Sequence, residues 1–145
     1  MTVIAFDGKT LAADKMSCSH GYGYTVTKIH RLRSGGIAAF SGDGDSAMEL
    51  LAWLDAARNP AAYPVMQKDN DTSAFVVEAD GSCWSYGKTP FPQRIECRVY
   101  AMGHGRDFAL AAMHCGKTAR EAVELACKLD VFCGNGIDTM TLETE

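Results

Sequence analysis

A two-residue turn signal near the start constrains this chain more than any other feature. Asp7-Gly8 separates the strand-like run "TVIAF" from a second run, "TLAAD". Asp-Gly between two apolar runs predicts a tight hairpin, because both residues tolerate the positive φ that such turns require. An isolated hairpin is marginal in water, so the remainder must supply further strands or helices. It does so in a recognisable order. The glycine-bearing stretch "SCSHGYGY" leads to "TVTKIHRL", where Val26, Lys28 and His30 alternate with Thr27, Ile29 and Arg31 as in a pleated strand. "RSGG" turns the chain into the apolar strand "IAAF". After "SGDGD", Ser46 and Glu49 have capping-box spacing, and Ala47, Leu50, Leu51 and Leu54 share one helical face. Asn59-Pro60 ends this helix, and residues 61–71 read as a loop.

"SAFVVEADGSCWSY" predicts a second hairpin around Asp80-Gly81, and "CRVYAMG" a further strand. Two helices follow, from Arg106 to about Cys115 and from the Thr118/Glu121 capping box onward. Ala119, Ala122, Val123, Ala126 and Leu129 form the apolar stripe of the second. Gly134, Asn135 and Gly136 break that pattern, and "IDTMTLE" closes the chain as an edge strand. Strand pairs, a helix, more strand pairs, two helices and a last strand imply an α+β layered fold.

With 145 residues, the chain has the size of one domain, spanning 1–145, with enough length for a core. A net charge of −4 gives no sign of the basic face that nucleic-acid binding needs, so no nucleic-acid partner is expected. No apolar run reaches the roughly 20 residues of a membrane span, and no basic-then-apolar leader is visible. A cytoplasmic location is therefore expected. The six cysteines form no C-x-x-C pair and the four histidines add no matching spacing, so the thiols are expected reduced and without structural zinc.

Several residues bear chemistry. Thr2 either begins a strand or, once Met1 is removed, presents a hydroxyl together with an α-amine able to act as its base. A small residue at the second position favours that removal, and no propeptide is then needed. Lys28 is either a lysine on a solvated face or a buried ammonium lowering the pKa of the Thr2 group, with Asp14 as its partner. In "FSGDGDS", Asp45 and Ser46 suit a turn and helix cap, while Gly42 permits an approach through which its N–H can meet an oxyanion. Asp43 and Asp45 lack the remaining ligands of a calcium loop.

The order of "TVIAF", "LAAD", "TVTKIHRL", "AAFSGDGD", "YAMGHGRDFALAAM" and "KLDVFCGNG" resembles the Ntn-hydrolase superfamily, specifically proteasome β-type subunits and the bacterial HslV peptidase. The resemblance implies a four-layer αββα sandwich and an N-terminal-threonine peptidase with Thr2 as nucleophile. Asp14 matches the family's strand-end aspartate, Lys28 its lysine and Gly42 its oxyanion-hole glycine. Asp130 with the Cys133-Gly134 pair matches the late element that steadies the terminal amine. No cofactor is implied as required; a structural metal ion held by carbonyls would fall to Asp130, Cys133 and Gly136. Implied partners are a homo-oligomeric ring or stacked rings, a peptide or unfolded-protein substrate, and an ATPase unfoldase.

The chain departs from the pattern at defined places. His104 stands where the family has a serine between glycines; it either serves the terminal amine or proton transfer, or simply opens a helix. Cys133 replaces a serine with a weaker hydrogen-bonding thiol. The segment before "SAFVV" is short, so the first helical layer lacks a second helix. Two rival readings share the fold: a non-catalytic structural or assembly subunit, and an Ntn amidohydrolase acting on a small amide.

Overall fold

The predicted hairpin forms, joining β1 (Ile4–Phe6) to β2 (Thr10–Asp14) in antiparallel register with Ile4 opposite Ala13 and Phe6 opposite Leu11. Its tip is Gly8-Lys9, one residue later than expected, because Asp7 donates its N–H to the Thr10 carbonyl at 3.2 Å. Gly8 has φ +96°, and the Asp7 carboxylate accepts the N–H groups of Lys9 (3.0 Å) and Thr10 (2.7 Å). The structure is a computed structural model that describes residues 1–67 and 71–142. The next elements are β3 (Met16–Ser19), β4 (Tyr22–Thr25), β5 (Ile29–Arg31), β6 (Ile37–Gly42) and α1 (Gly44–Leu54). A 3-10 turn at Pro60–Ala62 precedes β7 (Thr72–Val77), β8 (Cys83–Tyr86) and β9 (Gln93–Ile95). The chain continues through β10 (Tyr100–Met102), α2 (Arg106–His114), α3 (Ala119–Leu129) and β11 (Ile137–Thr141). It forms two units, Met1–Ile29 with Cys97–Thr141, and His30–Glu96.

In the first unit a four-stranded antiparallel sheet runs in the order β10-β1-β2-β11, with α2 and α3 packed on it and on each other. The core between helices and sheet is rich in alanine: Ala5, Ala12 and Ala101 meet Ala109, Ala112, Ala119, Ala122 and Ala126, with Val3, Met113 and Val123 filling the rest. Small side chains let the backbones approach, as helix packing distances depend on the residues at the contact. The α3 capping box forms as expected: Thr118 Oγ1 accepts the Glu121 N–H (3.2 Å) and Glu121 Oε1 accepts the Thr118 N–H (3.0 Å). Asp7 adds a third cap by accepting the Ala119 N–H at 2.9 Å, tying the hairpin turn to the helix start.

The second unit is a five-stranded sheet in the order β5-β6-β7-β8-β9, with α1 against β6 and β7. Its core centres on Trp53, whose ring meets Tyr63 edge-on at 4.8 Å and Tyr86 at 5.7 Å between centroids. Between β6 and β7 the described residues contain one α-helix and the 3-10 turn, in keeping with the short segment. Part of the loop expected over 61–71 falls at residues 68–70, outside the described residues.

The structure corrects several details. Helix α1 is capped by Asp43, whose carboxylate accepts the Ser46 N–H at 2.9 Å, so Ser46 lies inside the helix instead of capping it. "SCSHGYGY" is no mere spacer: it builds most of the β3–β4 hairpin, turned by His20 (φ 49°) and Gly21 (φ +80°). "TVTKIHRL" is not one strand: Thr25 ends β4, residues 26–28 are a connection, and Ile29–Arg31 is β5, so Lys28 immediately precedes that strand. Leu129 is 57% exposed, because the helix ends there and the stripe has no surface left to cover. Strand β9 has no counterpart in the sequence reading, since Pro90 and Pro92 beside it signal a loop. All six cysteines are free. No helix among the described residues is long and apolar enough to cross a membrane.

Candidate active site

The first unit gathers Thr2, Asp14, Lys28, His104, Asp130 and Cys133. Thr2 precedes β1 and is buried, although Met1 before it is 55% exposed. Its backbone is held on two sides. The Thr2 carbonyl accepts the Gly105 N–H at 3.1 Å, and the next residue, Val3, donates its N–H to Asp14 Oδ1 at 3.1 Å. Gly103 (φ +93°) lies so close that a Cβ there would run into the Thr2 carbonyl. At Gly105 a Cβ would come within 2.9 Å of Val3 Cβ and 3.3 Å of Cys133 Sγ. Both glycines around His104 are thus required by contact with the chain at Thr2 and Val3.

Lys28 is buried, which removes the solvated-face reading. Its ammonium donates to Asp14 Oδ1 (2.7 Å), Thr2 Oγ1 (3.1 Å) and the Met1 carbonyl (3.4 Å). An ammonium has three donors, and here each has an acceptor. Asp14, with 0% exposure, ends β2 and is equally saturated. Its Oδ1 accepts from Val3 and Lys28, and its Oδ2 from the N–H groups of Met16 (3.3 Å) and Gly134 (3.1 Å). Burying such a pair is tolerable only with this degree of hydrogen bonding. The pairing of Asp14 with Lys28 therefore forms as the sequence suggests, and the Thr2 hydroxyl is on the same ammonium.

Asp130 caps the C-terminus of α3, and its side chain is buried. Its Oδ1 accepts the Phe132 N–H at 2.9 Å, and its Oδ2 lies 2.5 Å from His104 Nδ1. Burial pushes its carboxyl up, but the His104 hydrogen bond and the Phe132 N–H outweigh this and hold it below the usual carboxylate range. His104 and Asp130 meet across 26 positions, a pairing that the sequence reading missed. Spacing gives no sign of it; the only signal is a histidine in a loop where a small hydroxyl residue is expected. The Cys133 thiol is pushed up to about 12, first by burial and then by the Asp14 and Asp130 carboxylates. It is a neutral thiol, unsuited to act as a nucleophile.

Gly42 belongs to the second unit, where it ends β6 opposite Thr72 at φ +118°. A Cβ there would run into the Asp71 carbonyl, so only glycine fits. The Asp130 carbonyl is engaged by the Cys133 N–H at 3.1 Å. No group of three His, Cys, Asp or Glu side chains suited to a metal occurs among the described residues.

No protein-family model matches the sequence, and no curated protein does. Solved structures do match. Thiobacillus denitrificans BPH in complex with epoxomicin aligns with TM-score 0.73 at 18% identity, over 99% of this chain and 100% of that one. The same protein without that compound named aligns at 0.71 and 18% over the whole of both chains. A eukaryotic HslV from Trypanosoma brucei aligns at 0.71 and 19%, over 99% of each. The mixed α/β fold with antiparallel sheets is that of these HslV-type structures, and the resemblance in the order of motifs extends to the fold.

Proposed function

We propose, from the fold shared with HslV-type structures, that this chain is an N-terminal-threonine peptidase that hydrolyses peptide bonds after removal of Met1. The observation carrying this reading is the buried Lys28 ammonium that touches both the Thr2 hydroxyl and the Asp14 carboxylate. Removal of Met1 would free the Thr2 amine as the base for its own hydroxyl. The Thr2 oxygen would attack a peptide carbonyl, with Lys28 stabilising the negative charge that develops on it. At an effective dielectric near 20, a unit charge about 4 Å away is worth about 4 kcal/mol, or about a thousandfold in rate. In this proposal the Gly42 N–H stabilises the tetrahedral oxyanion, and water then releases the acyl group from Thr2. The steps use no metal ion.

The four-layer αββα arrangement, assembly into homo-oligomeric rings, a cytoplasmic location, a peptide or unfolded-protein substrate and an ATPase partner belong to the same proposal. Their support is the likeness in fold. His104 and the short segment before β7 fit the rival reading of a non-catalytic assembly subunit, and one variant separates the two. The purified protein is expected to show a mass lacking Met1 and to hydrolyse fluorogenic peptides. Thr2→Ala should abolish that hydrolysis while leaving the fold and assembly intact. Epoxomicin, the compound in the Thiobacillus complex, serves as the site probe and should inhibit the wild-type chain. Full retention of activity in Thr2→Ala, or Met1 intact in the purified protein, would overturn the reading.

A further inference from the structure

A ring of polar contacts starts and ends on Thr2. From its hydroxyl the ring runs to Lys28 Nζ at 3.1 Å and on to Asp14 Oδ1 at 2.7 Å. The other Asp14 oxygen accepts the Gly134 N–H at 3.1 Å, and the Gly134 carbonyl accepts the Lys15 N–H at 2.9 Å. These two bonds fix the end of the 130–134 loop across the carboxylate. The loop begins at Asp130, whose carbonyl and Oδ1 take the N–H groups of Cys133 (3.1 Å) and Phe132 (2.9 Å). Asp130 Oδ2 meets His104 Nδ1 at 2.5 Å. His104 in turn lies between Gly103 and Gly105, the two residues that abut the Thr2 carbonyl.

We propose that His104 is a positioning residue of the threonine centre: its imidazole closes this ring and fixes the 130–134 loop, the Asp14 carboxylate and the Lys28 ammonium against the Thr2 hydroxyl. The proposal rests on the peptidase reading above. His104 acts through Asp130. Because Asp130 is ionised, Nδ1 carries the proton and donates it to the hydrogen bond. The Phe132 ring stands edge-on to the imidazole, 5.4 Å between centroids, and helps set the plane in which Nδ1 faces Asp130. With His104 truncated, the loop loses its anchor at Asp130, and the Gly134 N–H at its other end is held less firmly on Asp14. The consequence is a loosened Asp14–Lys28 pair, with the hydroxyl displaced from its working position. Displacements of that kind reduce turnover more than substrate binding.

Side-chain length separates this role from proton transfer by the distal nitrogen. Asparagine carries an N–H donor at the same distance from the backbone as Nδ1, whereas glutamine places its amide where Nε2 lies. His104→Ala is expected to lower kcat about 10- to 100-fold with KM nearly unchanged. His104→Asn should recover most of that loss, and His104→Gln should not. Amide hydrogen exchange gives a readout independent of hydrolysis: Phe132 and Gly134 should exchange faster in His104→Ala and at the wild-type rate in His104→Asn. An unchanged kcat in His104→Ala, an Asn variant as impaired as the Ala variant, or unchanged exchange at both amides would overturn the proposal. If Thr2→Ala retained hydrolysis, the peptidase reading would fall on that result alone. The exchange rates would still decide whether His104 anchors the loop.

Discussion

Lys28 and Asp14 show how single residues carry both stability and chemistry here. The carboxylate is fully buried and its charge is balanced by one ammonium at 2.7 Å. Lys28→Ala would leave Asp14 buried without a counter-charge, a change that costs about 3–5 kcal/mol in comparable pairs. A lower urea midpoint together with complete loss of hydrolysis is the expected outcome. A midpoint equal to wild type would mean that the pair is more solvated than its contacts imply. The identities of these residues were legible in the sequence, because an aspartate at a strand end and a lysine amid apolar neighbours are conspicuous. Their geometry was legible only in part. Asp14 receives the Gly134 N–H across 120 positions, and His104 reaches Asp130 across 26. The Gly134 donor is a backbone N–H with no side-chain signature, and the His104 and Asp130 side chains are brought together by the fold, so spacing announces neither bond.

At the level of elements, local rules held where local chemistry decides the outcome. The Thr118 capping box forms as read and the first hairpin forms with its tip one residue on, at Gly8-Lys9, since turn and cap preferences depend on a few adjacent residues. They failed where two local signals compete or tertiary contact decides. Ser46 has capping-box spacing to Glu49, yet Asp43 three positions earlier accepts the Ser46 N–H and starts the helix sooner. Leu129 fits the stripe of α3, but the last turn extends past its packing surface. The helix start also supports a prediction. Thr118→Ala removes the acceptor of one N–H and should cost about 1 kcal/mol. Asp7→Ala should cost more, because the Lys9, Thr10 and Ala119 N–H groups all lose their acceptor and the turn is freed from the helix. Urea midpoints of the two variants test the order, and a smaller loss for Asp7→Ala would sever the proposed link between turn and helix.

For the whole molecule, the direction of each titration dictates how stability follows pH. Asp7 and Asp130 are subject to burial that raises their carboxyls, but hydrogen bonds outweigh it and hold both below the usual range. Groups depressed in the folded state stabilise above their unfolded pKa, about 3.9, and lose that contribution as pH falls through the folded value. The thiols act on the opposite side. Burial pushes Cys127 up to about 11 and Cys133 to about 12, and Cys83 moves in the same direction. An unfolded thiol ionises near pH 8.5. Above that point the unfolded chain releases protons that the folded chain keeps, so stability falls as pH rises. Tyr63, pushed up to about 12 by burial and by Tyr86, adds to the decline above about pH 10. The melting temperature is therefore expected to be flat between about pH 5 and 8 and to fall on both sides. Cys133→Ser tests the alkaline limb, because serine keeps a hydrogen-bonding group beside Asp130 but does not ionise in this range. Its melting temperature should fall less steeply than wild type between pH 8.5 and 10, whatever its absolute value. An identical slope would show that the Cys133 thiol ionises alike in the folded and unfolded chain, contrary to its burial.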